Sequence, residues 1–216
     1  MEKEMEINKA VVRERYDKYG EDFERHVRSM GGEYDWIVKK YLERYIRPNT
    51  LLLDVAGGDG LSTSLLDPDK VSIVSTDISV RLLDVARSRR RNHVLGILQD
   101  FDCPFPFLDE VFDYVVCVSA LEFCRDLRFT LAEMLRVLKN GGMMLFSTDK
   151  YDEGSSLQGK YIYVHDERGF FSRRYSASWV RKLIADLGGR LLASDTHNAY
   201  RLKGGWIRYD YYLISK

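Results

Sequence analysis

Apolar side chains recur at three- and four-residue spacing in Trp36, Ile37, Val38, Tyr41, Leu42, Tyr45 and Ile46, so the residues up to about Arg47 are predicted helical, with Pro48 as the stop. The period then changes. Leu51–Val55 reads as a strand, and Leu61–Leu66 as a short helix ended by Asp67-Pro68. Val71–Thr76 is a second strand, followed by a helix over 79–91 capped by Ser79. His93–Leu98 and Tyr114–Val118 are predicted as strands three and four. Leu127, Leu131, Met134, Leu135 and Leu138 line one face of a helix that Asn140-Gly141-Gly142 should close. Met143–Ser147 is a fifth strand, and after an irregular stretch Ser176–Leu187 is a helix stopped by Gly188-Gly189. Leu191–Asp195 and Trp206–Ile214 complete the pattern as a hairpin. Strands separated by helices predict a mostly parallel sheet covered on both faces.

In such a sheet, ligands bind at the carboxyl ends of the strands, where strand order reverses. Those ends carry Asp54, Asp77, Asp100, the segment Ser119–Glu122, and Asp149. After the first strand, Ala56-Gly57-Gly58-Asp59-Gly60 forms a turn in which glycine lets the backbone bend sharply and approach a ligand. A carboxylate at that strand end suits a cation better than a phosphate, which points to a positively charged, nucleoside-bearing cofactor. Asp77 follows the first glycine by about twenty residues, the distance at which a carboxylate accepts ribose hydroxyls. Two other ligands fit worse. Thr63 replaces the third glycine of a dinucleotide fingerprint, and no Gly-Lys-Ser/Thr marks a P-loop. A purely structural turn is the bland alternative.

Charge and composition narrow the classes further. The 216 residues carry 33 Lys plus Arg against 33 Asp plus Glu, so no global field would gather nucleic acid or an anionic membrane. No apolar run approaches a membrane span, and the charged segment Met1–Lys9 lacks a signal peptide's apolar core, so a cytoplasmic location is expected. Cys103, Cys117 and Cys124 show no metal-ligand spacing, and no metal is expected. Arg87, Arg89, Arg90 and Arg91 form the one notable basic cluster, placed where cations complement a helix end. Tyr151–Tyr175 is rich in aromatic residues and on its residues reads as a short packed hairpin.

Four segments, LLLDVAGGDG, VSTDIS, QDFDCPFPFLDEVFDYVVC and LAEMLRVLKNGGMMLFS, occur in the order and spacing of one family. From Leu51 to Ser147 the chain resembles the class I S-adenosylmethionine-dependent methyltransferases, within them the "type 11" group. The resemblance implies an α/β, Rossmann-like, doubly wound fold. Its mostly parallel seven-stranded sheet would have helices on both faces and an antiparallel C-terminal strand. It implies one methyltransferase domain over 1–216, divided into a helical lid (1–48), a cofactor-binding core (49–150), and an insertion with C-terminal helix and hairpin (151–216). For Tyr151–Tyr175 the resemblance implies the alternative to a packed hairpin, a cover for an acceptor pocket.

Roles for S-adenosylmethionine follow from the resemblance by position. Tyr16 lies in the leading helix that folds over the cofactor. Asp54 would sit near the methionine ammonium, with the backbone of Ala56, Gly57, Gly58 and Gly60 around methionine and ribose. Asp77 would accept the ribose hydroxyls, Ile78 pack on the adenine, Asp100 accept the adenine amino group, and Phe101 lie beside the ring. Asp102 is expected to be solvated. Ser119 and Leu121 would border the sulfonium and the entering acceptor. Ala56 departs from the family, which usually has glycine there.

Transfer is expected to be an in-line displacement on the sulfonium methyl, with Glu122, His165 and His197 as candidate bases where the nucleophile arrives protonated. Val118-Ser119-Ala120-Leu121-Glu122-Phe123 stands where nucleic-acid amino-methylating enzymes carry Asn/Asp-Pro-Pro-Tyr/Phe, and Cys103-Pro104 reverses the Pro-Cys of cytosine-C5 enzymes. A small-molecule acceptor is therefore favoured over RNA or protein docked on Arg87–Arg91, and over a non-catalytic binding domain. The oligomeric state stays open.

Overall fold

In the computed structural model, residues 7–29, 31, 34–89, 93–150, 160–164, 170–202 and 205–216 are described. The core is a seven-stranded sheet ordered β3-β2-β1-β4-β5-β9-β8. Its first five strands, β1 (Thr50–Val55), β2 (Val71–Asp77), β3 (Val94–Leu98), β4 (Phe112–Cys117) and β5 (Leu138–Asp149), are mutually parallel. β9 (Gly205–Ser215) pairs antiparallel with both β5 and β8 (Arg190–Leu202), so it alone runs against the others. This is the mostly parallel sheet that the alternating pattern predicts, with the doubly wound order and the one reversed C-terminal strand that the resemblance implies.

Consecutive residues of β1 and β4 are buried because both faces of the sheet are covered. On one face Leu53, Val55, Val115, Cys117, Phe146 and Tyr212 join residues of α5 (Leu127–Val137) and α6 (Ala177–Asp186) in one core. On the other, Leu52, Ile73, Tyr114, Val116, Leu145, Tyr209 and Tyr211 pack with Ile37, Val38, Tyr41 and Leu42. Side chains alternate along each strand, so neighbours in sequence enter different cores. α4 (Val80–Arg89) packs against β3, and Ser79 caps it, its Oγ accepting from Leu82 N at 3.2 Å.

Several predicted bounds are corrected. The leading helix is not continuous. It splits into α1 (Lys9–Tyr19), a 3-10 turn (Gly20–Asp22), α2 (Phe23–Ser29), and α3 (Asp35–Ile37), which continues as a π-turn through Leu42. Gly20, at φ 44°, breaks the first helix. The expected helix at Leu61–Leu66 is only a 3-10 turn, Leu61–Thr63.

Asn140-Gly141-Gly142 does not separate helix from strand, because β5 begins at Leu138 and runs through it. The chain terminus recruits those glycines: Lys216 N–H donates to Gly142 O at 3.2 Å, and Gly141 N–H to Lys216 O at 3.4 Å. The C-terminal hairpin is longer than expected because β8 continues, with two register shifts, through Thr196–Leu202, where its own sequence shows no alternation. Between β5 and α6, β6 (Lys160–Val164) and β7 (Phe171–Tyr175) form a separate two-stranded hairpin.

Candidate active site

Strand order reverses between β1 and β4, and the turns after β1, β2 and β4 meet there around a cavity, at the place where open α/β sheets bind ligands. The cavity is lined by Tyr16, Ala56, Gly57, Gly58, Asp77, Ile78, Asp100, Phe101 and Ser119, nine of the residues picked out in the sequence. Carboxylates from two neighbouring strand ends therefore share one cleft. Asp54, Gly60, Leu121 and Glu122 do not line it, and His165 lies outside the described residues.

The turn after β1 has an unusual backbone. Ala56 takes φ 52° and Gly58 φ 56°, and Gly57 N–H closes the turn onto Thr76 O at 3.0 Å. A side chain at Gly57 would meet Ser75 Oγ at 2.5 Å and Asp54 Cγ at 2.7 Å. Asp54 is thus packed beneath the turn, not beside the cavity. Its Oδ2 accepts from Thr63 Oγ1 at 3.1 Å and Ser62 Oγ at 3.3 Å, and only Ser62 of these three reaches the cavity wall. Burial pushes the Asp54 carboxyl up to about 7 against the lowering effect of those hydroxyls.

Asp77 closes β2 with its carboxylate pinned in place. Oδ2 accepts from Gly58 N at 2.9 Å and Oδ1 from Ser79 N at 2.8 Å, which links the two turns. It is 6 % exposed, and burial raises its pKa to about 6 despite the amide donors. Each oxygen retains capacity for another donor. Apolar surface from Ile78, Leu82 and Phe101 lies nearby, with Gln99.

The N-terminal segment supplies residues that the strand-end rule could not find: Lys9, Val12, Phe23 and Tyr34. Lys9 Nζ bridges Asp100 Oδ1 at 3.1 Å and Asp102 Oδ2 at 2.8 Å, and sits 3.7 Å from the Phe101 ring centre. Asp102 is consequently not solvated as expected. It also accepts from Arg125 N and Cys124 Sγ, and its side chain is 7 % exposed. A hydrophobic-period signal places Lys9 on a helix but carries no hint of its partners, which are some ninety residues away.

Two further ties hold this segment down. Ser79 Oγ donates to Asp17 Oδ1 at 2.6 Å, and Arg89 pairs with both Glu24 and the buried Asp59. Arg87 pairs with Asp84 at 3.0 Å. The described part of the basic cluster is therefore engaged within the fold; Arg90 and Arg91 lie outside the described residues. On the β4 side, Ser119 takes φ 57°, and its N–H donates to Ser147 Oγ at 2.8 Å.

Glu122 lies behind the wall made by Ser119, Ala120 and Phe123, buried and hydrogen-bonded by the Tyr209 hydroxyl. Burial raises its pKa to about 7. His197 is exposed and stacked on Trp36 at 4.0 Å, away from the cavity lining. Among the described residues no group of His, Cys, Asp and Glu could hold a metal ion, and no helix is long and apolar enough to cross a membrane.

Residues 53–146 match the family described as "Methyltransferase domain". A demethylmenaquinone methyltransferase of Symbiobacterium thermophilum is 32% identical over 152 residues, spanning 65% of this chain and 59% of that protein. The chain spans about half the length of the curated relatives it matches. Among solved structures, the 1,6-didemethyltoxoflavin-N1-methyltransferase of Burkholderia thailandensis superposes with a TM-score of 0.72 at 16% identity, covering 96% of this chain and 88% of that one. A methyltransferase of Haloferax volcanii, in complex with an activator, gives 0.71 at 19% identity, covering 93% and 96%. These likenesses carry the fold.

Proposed function

From a chain that belongs to the class I S-adenosylmethionine-dependent methyltransferases, we propose an enzyme that methylates a small molecule held beside the cleft at the β1/β4 switch point. The observation that carries this reading is the cavity itself. It joins a pinned, buried carboxylate, a turn whose backbone lines the wall, and an apolar slot; Asp100 is paired with Lys9 and Asp59 with Arg89, which leaves Asp77 as the lining carboxylate held only by backbone amides. That donor and acceptor set fits a cationic nucleoside. S-adenosylmethionine, when bound, supplies the electrophilic methyl group.

The remaining roles belong to the chain. Asp77 accepts the two ribose hydroxyls, since its free lone pairs and its fixed orientation suit a vicinal diol. Ile78 and Phe101 hold the adenine, and Asp100 takes its amino group. Ala56, Gly57 and Gly58 present backbone to the methionine end, where Ser62 acts as the surface representative of buried Asp54. Gly60 keeps the turn close to Ala86, and Leu121 supports the wall from behind. Tyr16, packed edge-on against Phe123, closes the cavity and excludes water, which strengthens every electrostatic contact inside. Glu122 is the base for a protonated nucleophile, with a pKa poised near neutrality.

The relatives support a small acceptor: the Symbiobacterium protein is named for demethylmenaquinone, and the Burkholderia structure contains 1,6-didemethyltoxoflavin. Calorimetric titration with S-adenosylmethionine tests the reading. Micromolar or tighter binding is expected, and Asp77→Ala should weaken it by about 1.5–3 kcal/mol. No heat of binding, or equal affinity in the variant, removes the proposed cofactor site.

A further inference from the structure

Four non-glycine residues among those described hold a positive φ: Asn49, Ala56, Glu110 and Ser119. Two of them, Ala56 at 52° and Ser119 at 57°, line the cavity from the ends of the neighbouring strands β1 and β4. A side chain in this conformation is strained, and such strain persists only where the surroundings hold it in place. For Ser119 the holding contact comes from β5. The ladder between β4 and β5 ends with Cys117 opposite Phe146, so the Ser119 N–H lies past the last backbone pair. It donates instead to Ser147 Oγ at 2.8 Å, a hydroxyl on a residue that is 0 % exposed and lies outside the cavity lining.

The consequence for the cavity is geometric. In an extended chain, successive side chains point to opposite sides. Val118, Ser119 and Ala120 are consecutive, yet all three line the cavity. The left-handed turn at Ser119 breaks the alternation and folds the three residues into one wall. Sheet order sets which part of a ligand that wall meets. Asp100 follows β3, Asp77 ends β2, the Ala56 turn follows β1, and Ser119 follows β4, in the order in which those strands lie side by side. In the orientation proposed above, adenine lies at β3, ribose at β2 and methionine at β1. The β4 wall then comes at the methyl end.

We infer that Ser147 is a positioning residue for the methyl end of the cofactor site: by accepting from the Ser119 N–H, its hydroxyl holds Ser119 left-handed and keeps the β4 wall in place. This rests on the methyltransferase reading above. Without that oxygen the Ser119 N–H loses its acceptor, the residue relaxes toward a negative φ, and the wall shifts. The adenine and ribose contacts stay, because Asp100 is held by Lys9 and Asp77 by the amides of Gly58 and Ser79. Ser147 touches neither cofactor nor acceptor; it acts through Ser119.

The test titrates the full chain calorimetrically with adenosine, which reaches only the adenine and ribose positions, and with S-adenosylmethionine, which extends to β4. Ser147→Ala should weaken S-adenosylmethionine by about fivefold or more relative to adenosine, the worth of one hydrogen bond. Ser147→Cys fills the same space with a weak acceptor and should behave alike. Made beside Ser119→Gly, Ser147→Ala should cost less than about twofold against the Ser119→Gly chain, because glycine takes a positive φ without help. A serine that only supports the fold would weaken both ligands together, and glycine at 119 would restore nothing. Equal weakening of the two ligands, unchanged S-adenosylmethionine affinity in Ser147→Ala, or a loss that persists beside Ser119→Gly overturns the inference and leaves the methyltransferase intact. Failure of the unaltered chain to bind S-adenosylmethionine removes both.

Discussion

Ala56 and Gly57 are adjacent, and the backbone makes opposite demands of them. Ala56 holds a left-handed φ of 52°, a conformation that costs an L side chain roughly 1–2 kcal/mol. Ala56→Gly should therefore stabilise the chain by about 1 kcal/mol, read as a higher urea midpoint at unchanged slope. Gly57 has an ordinary φ but no room, since an added Cβ would lie 2.5 Å from Ser75 Oγ and 2.7 Å from Asp54 Cγ. Gly57→Ala should cost about 1–3 kcal/mol and weaken cofactor binding, because Asp54 must move and Ser62 with it. A gain in stability from Gly57→Ala, or a loss from Ala56→Gly, contradicts this account of the turn. The sequence shows glycines and an alanine in a row; only the folded turn tells which position needs positive φ and which needs empty space.

Among the elements, α1 and α2 are the ones that polar contacts hold in place most visibly. α1 buries Val12 and, unusually, Lys9, whose ammonium bridges Asp100 and Asp102 after β3. Asp17 receives the Ser79 hydroxyl at the start of α4, and Glu24 reaches Arg89 at its end. The first two ties run from α1 to the segments after β3 and β2 that flank the cavity, and the third runs from α2 to the far end of α4. Lys9→Met keeps the aliphatic stem but leaves two poorly exposed carboxylates facing one another, at a cost of about 3 kcal/mol. Thermal unfolding of the variant should fall by several degrees, and stopped-flow release of S-adenosylhomocysteine should accelerate. An unchanged release rate would mean that α1 does not hold the cavity closed. The helical period of α1 is legible in the sequence; its partners are not, because ion pairs across ninety residues leave no local trace.

Over the whole molecule, buried carboxylates set the pH response. Asp54, Asp77 and Glu122 have pKa values raised by burial to about 7, 6 and 7. A raised carboxyl binds its proton more tightly in the folded state, so its contribution is full below the unfolded value and lost as pH rises through the folded one. Glu24, Asp113, Glu133 and Asp195 are lowered, Glu24 and Glu133 chiefly by hydrogen-bonded arginines and Asp195 by the Tyr41 hydroxyl; their contribution is present above the unfolded carboxyl values and is lost as pH falls below them. Between about pH 5 and 8 the raised carboxyls titrate, opposed by His26, whose pKa burial lowers, and the ligand-free protein should lose on the order of a few kcal/mol. Melting temperatures at pH 5.5 and 8 check this: the midpoint should fall toward pH 8, and less steeply in Asp54→Asn. A midpoint that rises over the same interval would contradict the burial of these groups.

The alternation of strand and helix, the order of acidic strand ends, and the glycine turn are written locally, in residue periods and neighbouring side chains. They suffice to place Ala56, Gly57, Gly58, Asp77, Asp100 and Ser119 in the cavity lining, while Tyr16, Ile78 and Phe101 are indicated only by the family resemblance. Other features arise only on folding. The same local signals suggested that Asp54 faces the ligand and that Asp102 is solvated, yet packing turned Asp54 under Gly57 and gave Asp102 to Lys9. Tyr209 and Glu122 are 87 residues apart in the chain and touch because β9 inserts antiparallel beside β5. Periodicity reports which face of an element is apolar, whereas burial of a charge and choice of its partner depend on what the rest of the chain brings to that face.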